Sequence, residues 1–367
     1  MDYRMQNKRL EGSTESFRIL VTGVSGGSIG AQVCKTLRFG SNNYKIIVTN
    51  TAHENMKVVR AEGYELLPQA SSANYLDCLL EIIDRYHIQY LIPGSEPELY
   101  TISKNRQVFD SRPVRLLLNT HKVISTCVDK KKTSEMLVQN GFAIPQMVEV
   151  DSVLKQNMKS LPYPCIVKPS LGGGGSAAVF LAQDEEELLF FVKYLIKYGY
   201  DPIIQEYISN DENEYTIGVL HDPNGKLLGS VVLRRQILSG LSNRLIIPNN
   251  TGRSDKGKFL AISSGISQGE IVDFEPVRKT AEMIAMAIGS RGPLNIQGRW
   301  NGNRFVTFEI NPRFSGTTPM RALAGFNEPE ILIAAYLGLP QLEKTVKIQK
   351  GTCLRGLYEY FIPANEI

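Results

Sequence analysis

The sequence predicts an α/β protein whose C-terminal part is α+β, and three observations carry that expectation. Over the first third, short apolar runs alternate with amphipathic helical stretches, the pattern of an open parallel sheet. Further on, two strand-like segments bracket a run of four glycines, Gly172–Gly175. From Leu294 to Met320, two strands joined by Asn301-Gly302-Asn303 gather polar side chains on one face.

The elements follow in order. Arg18–Thr22 reads as a buried strand, the turn GVSGGSIG follows, and a helix runs from about Ile29 to Arg38. Lys45–Thr49, Tyr90–Pro93 and Val114–Leu118 are further strands, with helices over Tyr75–Tyr86 and Glu98–Phe109. From Asp129 a helix reaches Gln139 and stops at Asn140-Gly141. Cys165–Lys168, Ile203–Ile208, Glu214–Leu220 and Gly229–Leu238 are the strands of the middle of the chain. Helices over Val277–Ala287 and Pro329–Leu337 and a strand over Gly351–Ile362 complete it.

Composition excludes several functions. At 367 residues the chain can build two or three domains around sizeable cores. Charged residues are 21% and the net charge is +4, too slight to argue for nucleic acid. No apolar run approaches the ~18 residues of a membrane span, and no signal peptide is read. Five scattered cysteines without Cys-x-x-Cys suggest reduced thiols in the cytoplasm. The four histidines have no ligand spacing.

The polar strand carries the chemistry. Strict alternation over Phe305–Arg313 puts Thr307, Glu309, Asn311 and Arg313 on one face and Val306, Phe308 and Ile310 on the other. A three-residue turn at 301–303 would set Asn295 opposite Glu309 with Gln297 diagonal to it. One carboxylate and two or three amide oxygens then converge, a hard-cation site suited to Mg2+ or Mn2+ when phosphate supplies more oxygens. Arg313 on that face could hold an anion beside the metal. The four glycines free backbone N–H groups to approach an anion, with Lys168 reaching back. The turn Gly23–Gly30 invites a dinucleotide reading, but the second strand ends in Asn50, where an acidic ribose ligand is expected. After Pro93-Gly94, either Glu96 or Glu98 could hold a substrate amine or serve as a helix N-terminal acid.

Five stretches in order, DKKKTSEMLVQNGF, PCIVKPSLGGGGSAAV, IIQEYISNDENEYTIGV, NIQGRW and FEINPRFSGTTP, resemble the ATP-grasp superfamily. The similarity is greatest to one synthetase half of the carbamoyl-phosphate synthase large subunit and its stand-alone relatives. It implies a polar tail at 1–16, a Rossmann-like pre-ATP-grasp domain at 17–125, a small lobe at 126–205 and a large lobe at 206–367. It further implies that ATP and Mg2+ (or Mn2+) are bound and that a small carboxylate is activated as an acyl phosphate and joined to an amine. A non-catalytic ATP-binding module and an NAD-dependent reductase or epimerase are the alternatives. Position by position, the resemblance gives Lys130 and Lys168 to the phosphates, with Lys131 in place of Lys130 if the register slips. Gly172, Gly173, Gly174, Gly175 and Ser176 match the phosphate loop. Glu206 and Ile208 match the adenine connector, Glu214 the ribose carboxylate, and Gln297, Glu309 and Asn311 the metal ligands. Arg313 follows these as a catalytic arginine. Arg234, Arg321, Thr317 and Thr318 stand where substrate groups are expected. Small-molecule partners and a homodimer, with neither nucleic acid nor membrane, complete the implication.

Overall fold

The structure, a computed structural model, describes residues 16–154, 163–172, 178–209, 213–238, 240–339, 347–356 and 359. In the first domain, β1 (Phe17–Val21), α1 (Ile29–Arg38), β2 (Tyr44–Asn50), α2 (His53–Met56), β3 (Gly63–Leu66), α3 (Tyr75–Tyr86), β4 (Tyr90–Ile92), α4 (Glu96–Lys104) and β5 (Arg115–Leu116) follow one another. All pairings are parallel, in the order β3-β2-β1-β4-β5. Buried on both sides, β1 and β2 are the continuous apolar runs such a sheet requires. The order in which strands are added reverses between β1 and β4, which opens a crevice at their carboxyl ends. The glycine turn after β1 and Gly94 after β4 meet there. A side chain on Gly94 would overlap the Thr22 carbonyl.

Two helices, α5 (His121–Val128) and α6 (Lys130–Gln139), lead to the small lobe. That lobe holds β6 (Met147–Val148), α7 (Val150–Leu154), β7 (Cys165–Pro169), β8 (Phe180–Ala182), α8 (Glu185–Lys197) and β9 (Pro202–Glu206). Its sheet is antiparallel, ordered β6-β9-β7-β8, and α8 buries Leu188, Val192 and Leu195 against it.

The large lobe comprises β10 (Glu214–His221), β11 (Leu227–Arg235), β12 (Asn243–Pro248), β13 (Phe259–Ser263), β14 (Gly269–Val272), α9 (Glu275–Ala287), β15 (Pro293–Trp300), β16 (Phe305–Asn311), α10 (Thr318–Leu323), α11 (Glu328–Tyr336) and β17 (Gly351–Cys353). Six strands form one antiparallel sheet, β16-β15-β10-β11-β14-β17, while β12 and β13 pair as a separate hairpin. The hairpin packs on the small lobe, since Leu245, Ile247, Leu260 and Ile262 join Leu181, Ile166 and Val179.

Several elements depart from expectation. α6, assigned to the small lobe, buries Leu137 with Val123 and Cys127 against the large-lobe sheet. The helix expected over Glu98–Phe109 is α4 plus a 3-10 turn, Arg106–Phe109. The last described strand ends at Cys353, and much of the expected Gly351–Ile362 strand lies outside the described residues. The turn between β15 and β16 is four residues long, not three, because Trp300 pairs with Phe305 and the Asn301 N–H donates to the Arg304 carbonyl.

Candidate active site

A cleft of about 1010 Å³ lies between the first domain, the small lobe and the large lobe. Its floor is the hairpin β15–β16. With a four-residue turn, unbroken pairing would set Gln297 opposite Phe308 and turn Glu309 into the core. A β-bulge prevents this: Gly298 pairs with Thr307, but Gln297 pairs with Glu309 and Asn295 with Asn311. The extra residue is Phe308, and a bulge of this kind re-aims the side chains beside it. Phe308 therefore lines the cleft together with Glu309, Asn311 and Arg313, instead of joining the apolar face. Thr307, expected beside Glu309, is buried and its hydroxyl has no hydrogen-bond partner.

Gln297 and Glu309 form a direct cross-strand pair, and neither side chain hydrogen-bonds to any described residue. The Asn311 Oδ1 accepts from the Arg313 guanidinium at 2.9 Å. Asn295, expected to offer a third amide oxygen, does not: its Oδ1 accepts from Thr216 Oγ1 at 2.7 Å and from Arg321. Among the described residues no cluster of three Asp, Glu, His or Cys could cage a metal. An oxygen-only set with one unpaired carboxylate fits Mg2+ or Mn2+ sharing its shell with phosphate and water.

One side of the cleft is cationic. Lys168, on β7, is buried, and its Nζ donates to the Phe308 carbonyl at 3.4 Å. Burial pushes its pKa down to about 8, against the opposing pull of Glu309. Lys130 opens α6, where Asp129 caps the helix, and its Nζ donates to the Gly172 carbonyl at 2.8 Å. Lys131 instead pairs with Asp201 at 2.6 Å and does not line the cleft. Gly172, with φ +72, begins the glycine loop; Gly173, Gly174, Gly175 and Ser176 lie outside the described residues.

The connector Glu206, Tyr207 and Ile208 lines the far wall. Glu206 pairs with Lys256 at 2.8 Å, and the Ile208 carbonyl accepts from Arg299. Glu214 also lines the cleft, though both its oxygens are held, one by Arg235 at 2.6 Å and the other by Arg299 at 2.9 Å. Burial pushes that carboxyl up, but Arg299 and Arg235 outweigh it and hold it below the ordinary range.

Three family models match successive stretches of the chain: PylC-like N-terminal domain over 19–117, D-ala D-ala ligase C-terminus over 139–239, and ATP-grasp in the biosynthetic pathway with Ter operon over 258–358. The chain belongs to the ATP-grasp superfamily. No curated protein sequence matches it. Solved ATP-grasp structures share the fold at low identity. Biotin carboxylase from Campylobacter jejuni is 17% identical with a TM-score of 0.61, covering 90% of this chain and 73% of that one. For the L-amino acid ligase from Bacillus licheniformis the values are 16%, 0.61, 92% and 78%. For the D-alanine–D-alanine ligase from Bacillus anthracis they are 15%, 0.55, 89% and 98%.

In this ATP-grasp cleft, four expected substrate contacts are corrected. Arg234 does not line it and pairs with half-buried Glu270 at 2.5 Å; strand alternation turns Arg235 inward instead. Glu98 is buried at the start of α4, where Ser95 Oγ donates to it at 2.6 Å, a reciprocal helix cap. Burial raises its pKa, with the bonds from Ser95, Thr22 and Tyr75 opposing. Arg321 is fully buried, pairs with Glu328 at 3.1 Å, and acts on the cleft only by holding Asn295. Thr318 is buried as well and caps inward onto the Ser315 amide, while Thr317 does line the cleft. Glu96 lines the cleft and pairs with Arg313 at 3.1 Å, joining the first domain to the loop after β16. Asn50 ties the glycine turn, donating to the Val24 carbonyl at 2.9 Å, which leaves no acidic ribose ligand there. Sequence reasoning passed over Arg235, Arg299 and Lys256; the only signal for Arg299 was its place two residues after Gln297.

Proposed function

We propose that the chain is an ATP-dependent, ADP-forming ligase that activates a small carboxylate as an acyl phosphate and joins it to an amine. One observation carries this reading: Glu309, opposite Gln297 and without a hydrogen-bond partner among the described residues, faces the same cleft as Lys168 and Lys130. An oxygen site beside two phosphate-seeking lysines is what phosphoryl transfer needs, because its catalysis is chiefly positioning and charge stabilisation. The fold shared with known carboxylate–amine ligases supports it. Gln297, Glu309 and Asn311 would hold Mg2+, which would supply positive charge to stabilise phosphoryl transfer. Lys168 and Lys130 would offset the charge on those oxygens, and Arg313 the charge on the carboxylate that attacks. The adenine would lie along Glu206–Ile208 and the ribose near Glu214, whose carboxylate oxygens keep spare lone pairs after binding two arginines. The glycine loop beginning at Gly172 would cover the acyl phosphate and keep water from it.

The test is ADP and phosphate release from ATP and Mg2+ against carboxylates, with and without amines. Release that needs both a carboxylate and an amine establishes the ligase and names its substrates. Nucleotide binding without release under any combination would leave a regulatory ATP-binding module. The same proposal places the protein in the cytoplasm as a homodimer. The five free cysteines support the first, and sedimentation velocity checks the second. Among the described residues no helix is long and apolar enough to cross a membrane.

A further inference from the structure

Six cationic side chains line the cleft: Lys130, Lys168, Arg235, Arg244, Arg299 and Arg313. Five of them already have partners. Lys130 and Lys168 donate to carbonyls, Arg235 and Arg299 share Glu214, and Arg313 holds Glu96. Arg244 has none among the described residues. Its position is set by a second β-bulge. On the β12–β13 hairpin Asn243 pairs with Ser263 and Leu245 with Ile262, so Arg244 is the residue left over. An unpaired bulge residue is free to point where the ladder would not direct it, and this one faces the cleft.

Arg244 and the two cleft lysines sit on different elements. Lys168 and Lys130 lie beside β16, the edge strand that carries Glu309. The order β16-β15-β10-β11 puts three strand spacings, about 14 Å, between that edge and β11. The hairpin bearing Arg244 follows β11 and continues into Ser264–Ser267, whose Gly265 carbonyl approaches Gly316 on the loop after β16. Arg244, beside the Asn243–Ser263 pair, thus sits at the end of the hairpin that leads to Gly316, opposite the end where Lys256 meets Glu206.

We propose that Arg244 holds an anionic oxygen group, a second carboxylate or a phosphate, on the ligase's substrate, and so selects doubly anionic substrates over neutral isosteres. This rests on the ligase reading. A guanidinium binds such groups through two parallel hydrogen bonds, which discriminates against a neutral amide.

The test is steady-state ADP release by the full chain with Mg2+, ATP and an amine. Carboxylates are compared in pairs: glutamate against glutamine, aspartate against asparagine, and a phosphorylated hydroxy acid against the free one. The anionic member should have the higher kcat/KM by about tenfold, and Arg244→Gln should abolish the difference through KM, not kcat. Arg244→Glu should reverse it. A preference that neither variant alters overturns the proposal, as does an equal loss for both members of a pair. About tenfold weaker binding of a non-hydrolysable ATP analogue with Mg2+ to Arg244→Gln, read by calorimetry, would assign the arginine to the nucleotide and also overturn it. No ADP release with any carboxylate would defeat the ligase reading instead. Inorganic phosphate titrated into the analogue-loaded chain then decides: binding lost in Arg244→Gln supports the anion site, and equal binding in both chains overturns it.

Discussion

Lys168 is a buried ammonium whose proton is held loosely, and that gives the cleft a pH dependence with a definite sign. Its pKa of about 8 lies below the ordinary lysine value because burial disfavours the charge. A triphosphate beside it favours the charged form, so binding above pH 8 must take up a proton and the apparent affinity falls as pH rises through that value. We predict that nucleotide affinity declines from pH 7.5 to 9.5 with proton uptake, measured by calorimetry in buffers of different ionisation enthalpy. Lys168→Arg should lose the proton uptake, since guanidinium stays charged throughout. Uptake that persisted in Lys168→Arg would locate the titrating group elsewhere. Glu309 is the second decisive residue. Glu309→Ala should abolish metal-dependent turnover while the thermal transition stays within a few degrees of wild type, because the side chain is half-buried and makes no hydrogen bond to lose. It should also lower the Lys168 pKa, because it removes a charge that favours the ammonium. Wild-type turnover in that variant would refute the metal-site assignment.

At the scale of elements, β16 turns Glu309 to the cleft because two irregularities compensate. The even turn shifts the pairing by one residue and the bulge at Phe308 shifts it back, so Glu309 faces Gln297. Alternation read from the sequence reaches the right face for Glu309, Asn311 and Arg313 through the wrong turn, and fails for Phe308 and Thr307. Parity cannot reveal a bulge, since the extra residue leaves no compositional mark. The parallel sheet, by contrast, was legible because buried strands and amphipathic helices differ sharply in period. The β12–β13 hairpin, with Arg244 on it, went unread because its strands pack on another lobe and lie outside the main sheets. Arg234 and Arg321 misled for a related reason: a charged residue near a site says nothing of its direction until its strand or helix is placed. Gly218 on β10 shows how tightly that placement is fixed. A Cβ there would meet the Arg321 guanidinium and the Glu328 carboxylate, the buried pair that in turn holds Asn295. Gly218→Ala should therefore destabilise the protein by about 1–3 kcal/mol in chemical denaturation, the usual cost of overpacking. A neutral effect would mean that the pair yields without loss.

The whole molecule divides unequally. β1 and β2 share one apolar core with α10, α11 and parts of β11, joining Ile19, Val21 and Val48 to Met320, Phe326 and Ile331. The small lobe has a core of its own. A polar knot reinforces the larger unit: Glu330 Oε1 accepts from the Ser41 and Asn42 amides, Ser41 Oγ, Asn42 Nδ2 and the Tyr44 hydroxyl. Glu330→Ala strands those donors and should cost about 3 kcal/mol, more than a surface carboxylate would. Calorimetric unfolding should still show the first domain and large lobe melting together, since the apolar core remains. Two separated transitions for them would show that the knot, not the core, unites the pair.

That common core sets a limit on how such a chain could be cut and rejoined. Residues 17–116 look like a detachable module in sequence, yet they share an apolar core with helices more than two hundred positions away. A recombinant that exchanged this stretch for a cousin's would inherit a mismatched seam, whereas trading the small lobe would leave the seam intact. Exchange is therefore easier for the small lobe, with a core of its own, than for the first domain.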